Sequence, residues 1–484
     1  MIAAWLFKNV NRRQVILKNT FWLTAAVGLS GLGDFLLTVY VIRKFGPVRY
    51  GTYGYALSFV SLFSSLFDFG LATAATREFA ADSTRERHFG NLITLKLLIG
   101  AVGIAAVWIG GFLITVDPFT RWMILVLSFY IALVEMANVF YALFRARQKM
   151  EIEAGCRFFY IACLAAFVLG FTSLRPSVLS VAAAYLGAVT LTVGAATGFV
   201  LRIGGLGREF RLSVNVPVWR EFLGIGLYIA LVRATGDVTV NIGSVLLGHL
   251  GRLADIGWYN AAAKIYGLML FPMSLVASAI FPALAEARAS APDRFVRYWR
   301  TWAQATLVLS VLLSVLVLGR AGDIVELLYH GNFQPAVRAL QILVVAGQLV
   351  YLQNIYYHAL LVANRQRDIF FAGVVAAAAN VSLNVILVPH FGLYGVATGM
   401  VVTQLLLFAQ YLMLTWRHAI LKPVFPELWW SALACIISGA TLYAFLTVMP
   451  HGRIGFALAV PLGVLVYLVM MKGFMELWRR ACPL

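Results

Sequence analysis

Between residues 18 and 472 the chain repeats one pattern: a long apolar run, a short charged loop, another apolar run. A helix rises about 1.5 Å per residue, so roughly 20 apolar residues cross a hydrocarbon layer about 30 Å thick. On that rule the chain is predicted to be an all-α membrane protein of about fourteen spans. In the first half they fall at 18–43, 53–75, 92–115, 120–144, 156–174, 178–201 and 222–247. In the second they fall at 258–284, 301–318, 339–362, 369–388, 393–414, 428–447 and 454–471. The pattern confines function to what happens inside or across a membrane.

Composition agrees: 62% of the 484 residues are hydrophobic, 12% are charged, and the mean hydropathy is +0.86. A soluble core with a solvated surface is less apolar than this, so lipid covers most of the outside. The formal charge of +18 would fit a nucleic-acid partner if the basic residues formed one patch. They lie in alternate loops instead, as the positive-inside bias places them, and no nucleic-acid partner is expected. With a cytoplasmic N-terminus, about 27 Lys and Arg fall inside, about 9 outside and about 2 within spans, which puts both termini in the cytoplasm. Arg43, Lys44 and Arg49 fall on the outer side and run against the bias. The stretch 1–16, with Trp5 and Phe7 beside Lys8, reads as an interfacial segment rather than a cleaved leader. Cys156, Cys163, Cys435 and Cys482 offer no outward-facing pair for a disulfide.

No loop exceeds about 25 residues, which leaves no room for a soluble catalytic or nucleotide-binding domain. The longest inner loop, 202–220, lies where two six-helix halves would meet. Local matches support such halves. Gly33-Asp34 in the first span and Gly51-Thr52-Tyr53 after it match Gly236-Asp237 in the seventh and Gly257-Trp258-Tyr259 after it. Arg147-Gln148 matches Arg365-Gln366, an offset that sets Glu135 opposite Gln353. The expected division is an N-lobe at 1–205, a C-lobe at 206–420, and two additional spans with an inner tail at 421–484.

Six ionisable residues lie well inside spans: Asp34, Asp68, Glu135, Arg233, Asp237 and Lys264. A charge at mid-bilayer costs roughly 2.5–3.5 kcal/mol on insertion scales, so each should face a cavity or a partner. Two readings compete. In one, Arg233 and Lys264 are cavity cations able to hold a pyrophosphate; in the other, Arg233 and Asp237, four apart on one face, neutralise one another. Asp34, Asp68 and Asp237 are candidates for ion coupling. The tenth span is dense in amides and hydroxyls, including Gln348, Tyr351, Gln353, Asn354 and Tyr357, and the fourth carries Glu135 and Asn138. Glu135, Asn138, Gln353, Asn354 and Tyr357 are candidate glycan contacts, against the alternative of ordinary interhelical hydrogen bonds. Pro272 and Pro282 mark a hinge or a static kink in the eighth span, and Gly395 with Gly399 fits close helix packing. His358 is the histidine found within a span, and without further ligands at metal spacing no metal site is expected. The sequence has no G-x-x-x-x-G-K-[ST] loop, G-x-S-x-G elbow, H-E-x-x-H pair or Arg-rich voltage sensor, and no cofactor is expected.

The stretch 19–80, including KFGPVRYGTYGYALSFVSLFSSLFDFGLATAATREFA at 44–80, resembles the start of polysaccharide flippases of the Wzx, or O-antigen, type in the polysaccharide transporter family. The likeness rests on a glycine-rich first span, a G-x-Y-G turn, and an aromatic, serine-rich second span ending in Asp68, Gly70 and Arg77. It continues in WYNAAAKIYGLMLFPMSLVASAIFPALAEA at 258–287 and at 364–410. The resemblance implies a superfamily shared with multidrug exporters and lipid-linked peptidoglycan precursor flippases. Its fold would be two six-helix lobes around a central cavity that opens alternately to each side. It implies transport of a polyprenyl-pyrophosphate-linked oligosaccharide from inner to outer leaflet of the cell membrane, and no enzyme activity. Implied partners are membrane lipid, H+ or Na+, and a glycan polymerase or other assembly proteins. A cation-coupled multidrug exporter of the same superfamily is the first alternative. A membrane glycan polymerase or ligase ranks below it, since the longest outer loop covers only 319–338.

Overall fold

A computed structural model describes residues 12–114, 117–202, 212–290, 292–418, 420, 425–450 and 452–481. Residues 1–11 of the expected interfacial segment, and Cys482, lie outside the described residues. The described chain contains sixteen α-helices and, among the described residues, no strand. They are α1 (Arg12–Ser61), α2 (Ser64–Asp68), α3 (Leu71–Ala81), α4 (Phe89–Ile114), α5 (Pro118–Ala146), α6 (Met150–Leu174), α7 (Val178–Arg202) and α8 (Val216–His249). There follow α9 (Leu253–Ser290), α10 (Pro292–Gly319), α11 (Ala321–Tyr329), α12 (Gln334–Val362), α13 (Gln366–Phe391), α14 (Leu393–Arg417), α15 (Phe425–Val448) and α16 (Arg453–Ala481).

Among the described residues, thirteen helical segments are long and apolar enough to span a membrane, and the first of them, Leu17–Ser61, has 45 residues. At 1.5 Å per residue this is about 68 Å, more than two bilayer cores, so it carries more than one crossing. Gly46, at φ 69°, divides it into two helices that meet at a kink before Pro47. The expectation of about fourteen spans agrees with this. Large side chains such as Ile109 (60% exposed), Phe112 (62%) and Ile436 (64%) face outward, as lipid requires.

The chain divides into two compact units, Met1–Gly257 and Trp258–Leu484. In the first, α1 packs on α5 and α6, α7 on α5 and α6, and α8 on α1, α2 and α3. The packing boundary therefore falls one span beyond the seam that loop length places at 205/206. The end of this unit that holds Arg12 is filled by Phe79, Phe89, Phe140 and Phe222, whose rings meet edge to face at 5.7–6.3 Å. Many basic loop residues are tied there as well: Lys18 to Glu151 at 3.0 Å, Arg145 to Glu153 at 2.6 Å, and Arg147 to Glu86.

In the second unit α12 packs on α14 and α10, and α13 on α14. The last two spans, α15 and α16, join this unit through α10, where Leu442, Leu446 and Tyr467 are fully buried and the Tyr467 hydroxyl donates to the Val308 carbonyl at 3.1 Å. Gly395 does serve close packing, since a Cβ there would lie 2.6 Å from the Leu387 carbonyl oxygen.

Backbone geometry repeats where the sequence matches. Gly46 and Gly251 both adopt left-handed φ, 69° and 72°, just ahead of the matched Gly51 and Gly257. Those two glycines admit backbone: a Cβ on Gly51 would stand 1.8 Å from the Leu253 oxygen, and one on Gly257 2.0 Å from the Pro47 oxygen. The hairpins after the fourth and tenth spans also match, with left-handed Gln148 (φ 56°) and Asn364 (φ 58°) at their turns. Aligning those two residues gives an offset two smaller than Arg147 to Arg365, and it sets Glu135 opposite Tyr351 rather than Gln353.

Candidate functional site

The second span is not one helix. After α1 ends at Ser61, the one-turn α2 covers Ser64–Asp68, and Phe69 and Gly70 then both take left-handed φ, 50° and 68°, before α3 begins. Left-handed backbone at a non-glycine costs about 1–2 kcal/mol, so the break at Phe69 must be held by its surroundings. Gly70 and Gly226 of α8 provide part of the hold. A Cβ on either would meet the other segment's backbone, 2.5 Å from Gly226 O and 2.2 Å from Phe69 O, so the broken segment lies directly on α8.

A break within a membrane also strands backbone polar groups. Charged side chains satisfy them here. Lys96 of α4, only 2% exposed, donates its Nζ to the carbonyls of Phe67 (2.7 Å) and Asp68 (3.2 Å) at the end of α2, and lies 3.6 Å from the Asp68 carboxylate. At the other end of α2, Asp237 of α8 accepts the Ser65 amide at 2.9 Å. One turn earlier on α8, Arg233 bridges Asp68 and Glu135 of α5, the latter at 3.3 Å. Asn138 donates to the other Glu135 oxygen at 3.1 Å. The result is a cluster of three carboxylates and two cations inside the first unit. Asp68 and Glu135 are buried, whereas 40% of the Arg233 side chain is exposed.

Four of the six ionisable residues singled out from sequence thus meet, but not in the pairing expected. Arg233 joins Asp68 and Glu135 on other helices, and its neighbour Asp237 goes to a backbone amide. Lys96 was missed. It sits one turn inside the third span, where a lysine ordinarily snorkels to the interface; its real partners exist only because the second span breaks. Asp34 stands apart, accepting from the Tyr185 hydroxyl at 2.9 Å within a group of tyrosines that includes Tyr53 and Tyr130. Glu135 and Asn138, candidate glycan contacts, are engaged with Arg233 and with each other.

The remaining candidates belong to the second unit. Lys264 is half-buried on α9. The Gln353 amide donates to Gln404 at 2.7 Å, and Gln348 exchanges hydrogen bonds with Ser310 and Ser314 at 3.0 Å. Tyr357 packs near Tyr411 and His358, and His358 Nδ1 sits 3.0 Å from the Asn354 carbonyl. The side-chain oxygens of Gln353 and Asn354 are buried without a hydrogen-bond partner among the described residues. Among those residues no group of three His, Cys, Asp or Glu is placed to hold a metal.

The family model described as polysaccharide biosynthesis protein matches residues 16–288, more than half of the chain and the whole of this cluster. The chain belongs to the polysaccharide biosynthesis protein family. Within that frame it is similar to a protein of Escherichia coli (strain K12) named as an O-antigen transporter, 21% identical over 414 residues, covering 84% of this chain and 97% of the relative. Among solved structures, lipid II flippase MurJ in an inward closed conformation matches with a TM-score of 0.75 at 15% identity, covering 95% of this chain and 98% of that one. An inward-facing multidrug resistance MATE family transporter of the MOP superfamily matches with a TM-score of 0.68 at 14% identity, covering 82% and 96%. The polysaccharide biosynthesis family member described here therefore shares a fold with both flippases and drug exporters.

Proposed function

We propose that this protein is a multi-pass membrane flippase that moves a polyprenyl-pyrophosphate-linked oligosaccharide from the inner to the outer leaflet, with both termini in the cytoplasm. Family membership and similarity to proteins named for O-antigen transport and lipid II flipping support the substrate class. The observation that carries the mechanism is the Arg233 side chain, bound to two buried carboxylates yet 40% exposed. A guanidinium so placed can exchange a carboxylate for a phosphate, both of which it binds with paired hydrogen bonds. Within the second unit, Lys264 is proposed as a pyrophosphate cation and Gln353, Asn354 and Tyr357 as glycan contacts, the buried amide oxygens of Gln353 and Asn354 having no partner among the described residues. Inside-negative potential favours outward movement of an anion by about 2.3 kcal/mol per charge per 100 mV.

The count of three carboxylates against two cations adds ion coupling to this scheme. Drawing Arg233 onto an anion leaves Asp68 and Glu135 with less compensation, so the cluster takes up a proton or Na+ as the substrate loads. Anion and cation occupancy are then linked by one coupling free energy. The surplus carboxylate also keeps a cation-coupled multidrug exporter as the second reading. The two separate in a strain whose surface glycan depends on this protein. R233A and R233A/K264A should lower glycan export at least tenfold with membrane levels unchanged and no change in resistance to organic cations. Full export by the double variant removes the pyrophosphate role, and a change in drug resistance alone favours the exporter.

A further inference from the structure

The opposite end of the first unit from Arg12 holds a cavity of about 730 Å³ that the charge cluster does not use. It is lined by Arg49, Thr52 and Tyr55 beyond the first turn, Thr120 and Ser177 from the next two loops on that side, and His249 at the end of α8. The volume falls within the range of small-ligand sites. Its chemistry is unusual for this end of a membrane protein. The described stretches 43–49, 117–121, 175–177 and 249–255 carry six Lys and Arg (Arg43, Lys44, Arg49, Arg121, Arg175, Arg252) against Asp117 and Asp255. Positive-inside bias disfavours such an excess on the outer side.

Part of the excess has a structural use. Lys44 donates to the Tyr40 hydroxyl and the Thr172 carbonyl, both at 2.9 Å. Asp117, the acid in the cavity wall, caps α5, accepting the Phe119 and Thr120 amides and the Thr120 hydroxyl. Arg49 and His249, by contrast, make no hydrogen bond or ion pair with any described residue, and both are exposed on the cavity.

We propose that this cavity is an extracytoplasmic subsite for an oxyanion borne by a saccharide, held by Arg49 and His249, with Thr52 and Ser177 as hydroxyl partners and the Tyr55 ring as an apolar wall. The oxyanion is either a phosphate of the carried diphosphate or the carboxylate of an acidic sugar. The proposal rests on the flippase reading and on the orientation given with it. The site would receive the charged part of the substrate after it leaves Arg233, which gives the outward step a destination.

The test uses whole cells carrying I114C, at an apolar position of the cavity wall outside the proposed contacts, in a background without the four native cysteines, labelled with a membrane-impermeant maleimide. Inorganic pyrophosphate or glucuronate should slow labelling, and maltose should not; which oxyanion acts at lower concentration identifies the source. R49Q/H249Q should raise the protecting concentration about tenfold or more, the scale of lost charge-assisted hydrogen bonds, while R49K retains most protection. Absence of protection by both oxyanions, equal protection by maltose, unchanged protection in R49Q/H249Q, or labelling only from the cytoplasmic side overturns the proposal. Glycan export measured in the same cells keeps the two readings apart. Protection without export rejects the flippase and keeps the subsite, and export without protection does the reverse.

Discussion

The second and eighth spans, which the sequence matches set opposite one another, have opposite backbones. The second contains no proline and breaks twice, around Leu62–Phe63 and at Phe69–Gly70; the eighth, within α9, contains Pro272 and Pro282 and runs as one helix over Leu253–Ser290. Proline is the usual sign of an interrupted membrane helix. In this pair it is the wrong sign. What separates the spans is compensation. The second has Lys96 for its stranded carbonyls, Asp237 for its stranded amide, and two facing glycines that let α8 lie against the break.

That contrast breaks first at Lys96. K96M keeps the length of the chain but leaves the Phe67 and Asp68 carbonyls and one flank of Asp68 without a cation. Removing one partner of a buried charged group costs about 3–5 kcal/mol. The variant should unfold at markedly lower temperature in detergent, and a melting point near wild type would show that the break does not depend on the lysine. A middle effect is expected at Gly70. G70A forces left-handed backbone on an alanine, about 1–2 kcal/mol by itself, and drives its Cβ against Gly226. It should lower the melting point, whereas G31A, whose Cβ meets nothing within 4 Å, should not. Equal effects of the two would remove the facing glycines from the explanation. The smallest change belongs to the second unit. Q353L loses one interhelical hydrogen bond to Gln404, worth about 0.6 kcal/mol on average in membranes, so thermal stability should barely move. A large loss there would mean that the neutral helices of the second unit depend on polar pairing as much as the second span does.

Much of this was legible from sequence. Hydrophobic run length gave the spans, and the motifs around 44–80 and 258–287 pointed to the family that the match at 16–288 establishes. Asp68, Glu135, Arg233 and Asp237 stood out because charge is rare in such runs. Their pairing was hidden. Spacing on one helix offers Arg233 to Asp237, but a free amide at Ser65 exists only once the second span breaks, and nothing local announces left-handed backbone at Phe69. Lys96 was hidden for the same reason. The offset of Glu135 against Gln353 failed differently: an Arg-Gln pair recurs at both hairpins, but the turns align through Gln148 and Asn364, two residues out of step.

The cluster also bears on how the protein is made. Asp68 leaves the ribosome 165 residues ahead of Arg233, and Ser65 172 residues ahead of Asp237. At about 5–20 residues per second, the second span waits about ten to thirty seconds for the seventh. Through that interval it is a half-finished membrane segment carrying a carboxylate, with Lys96 as its early companion.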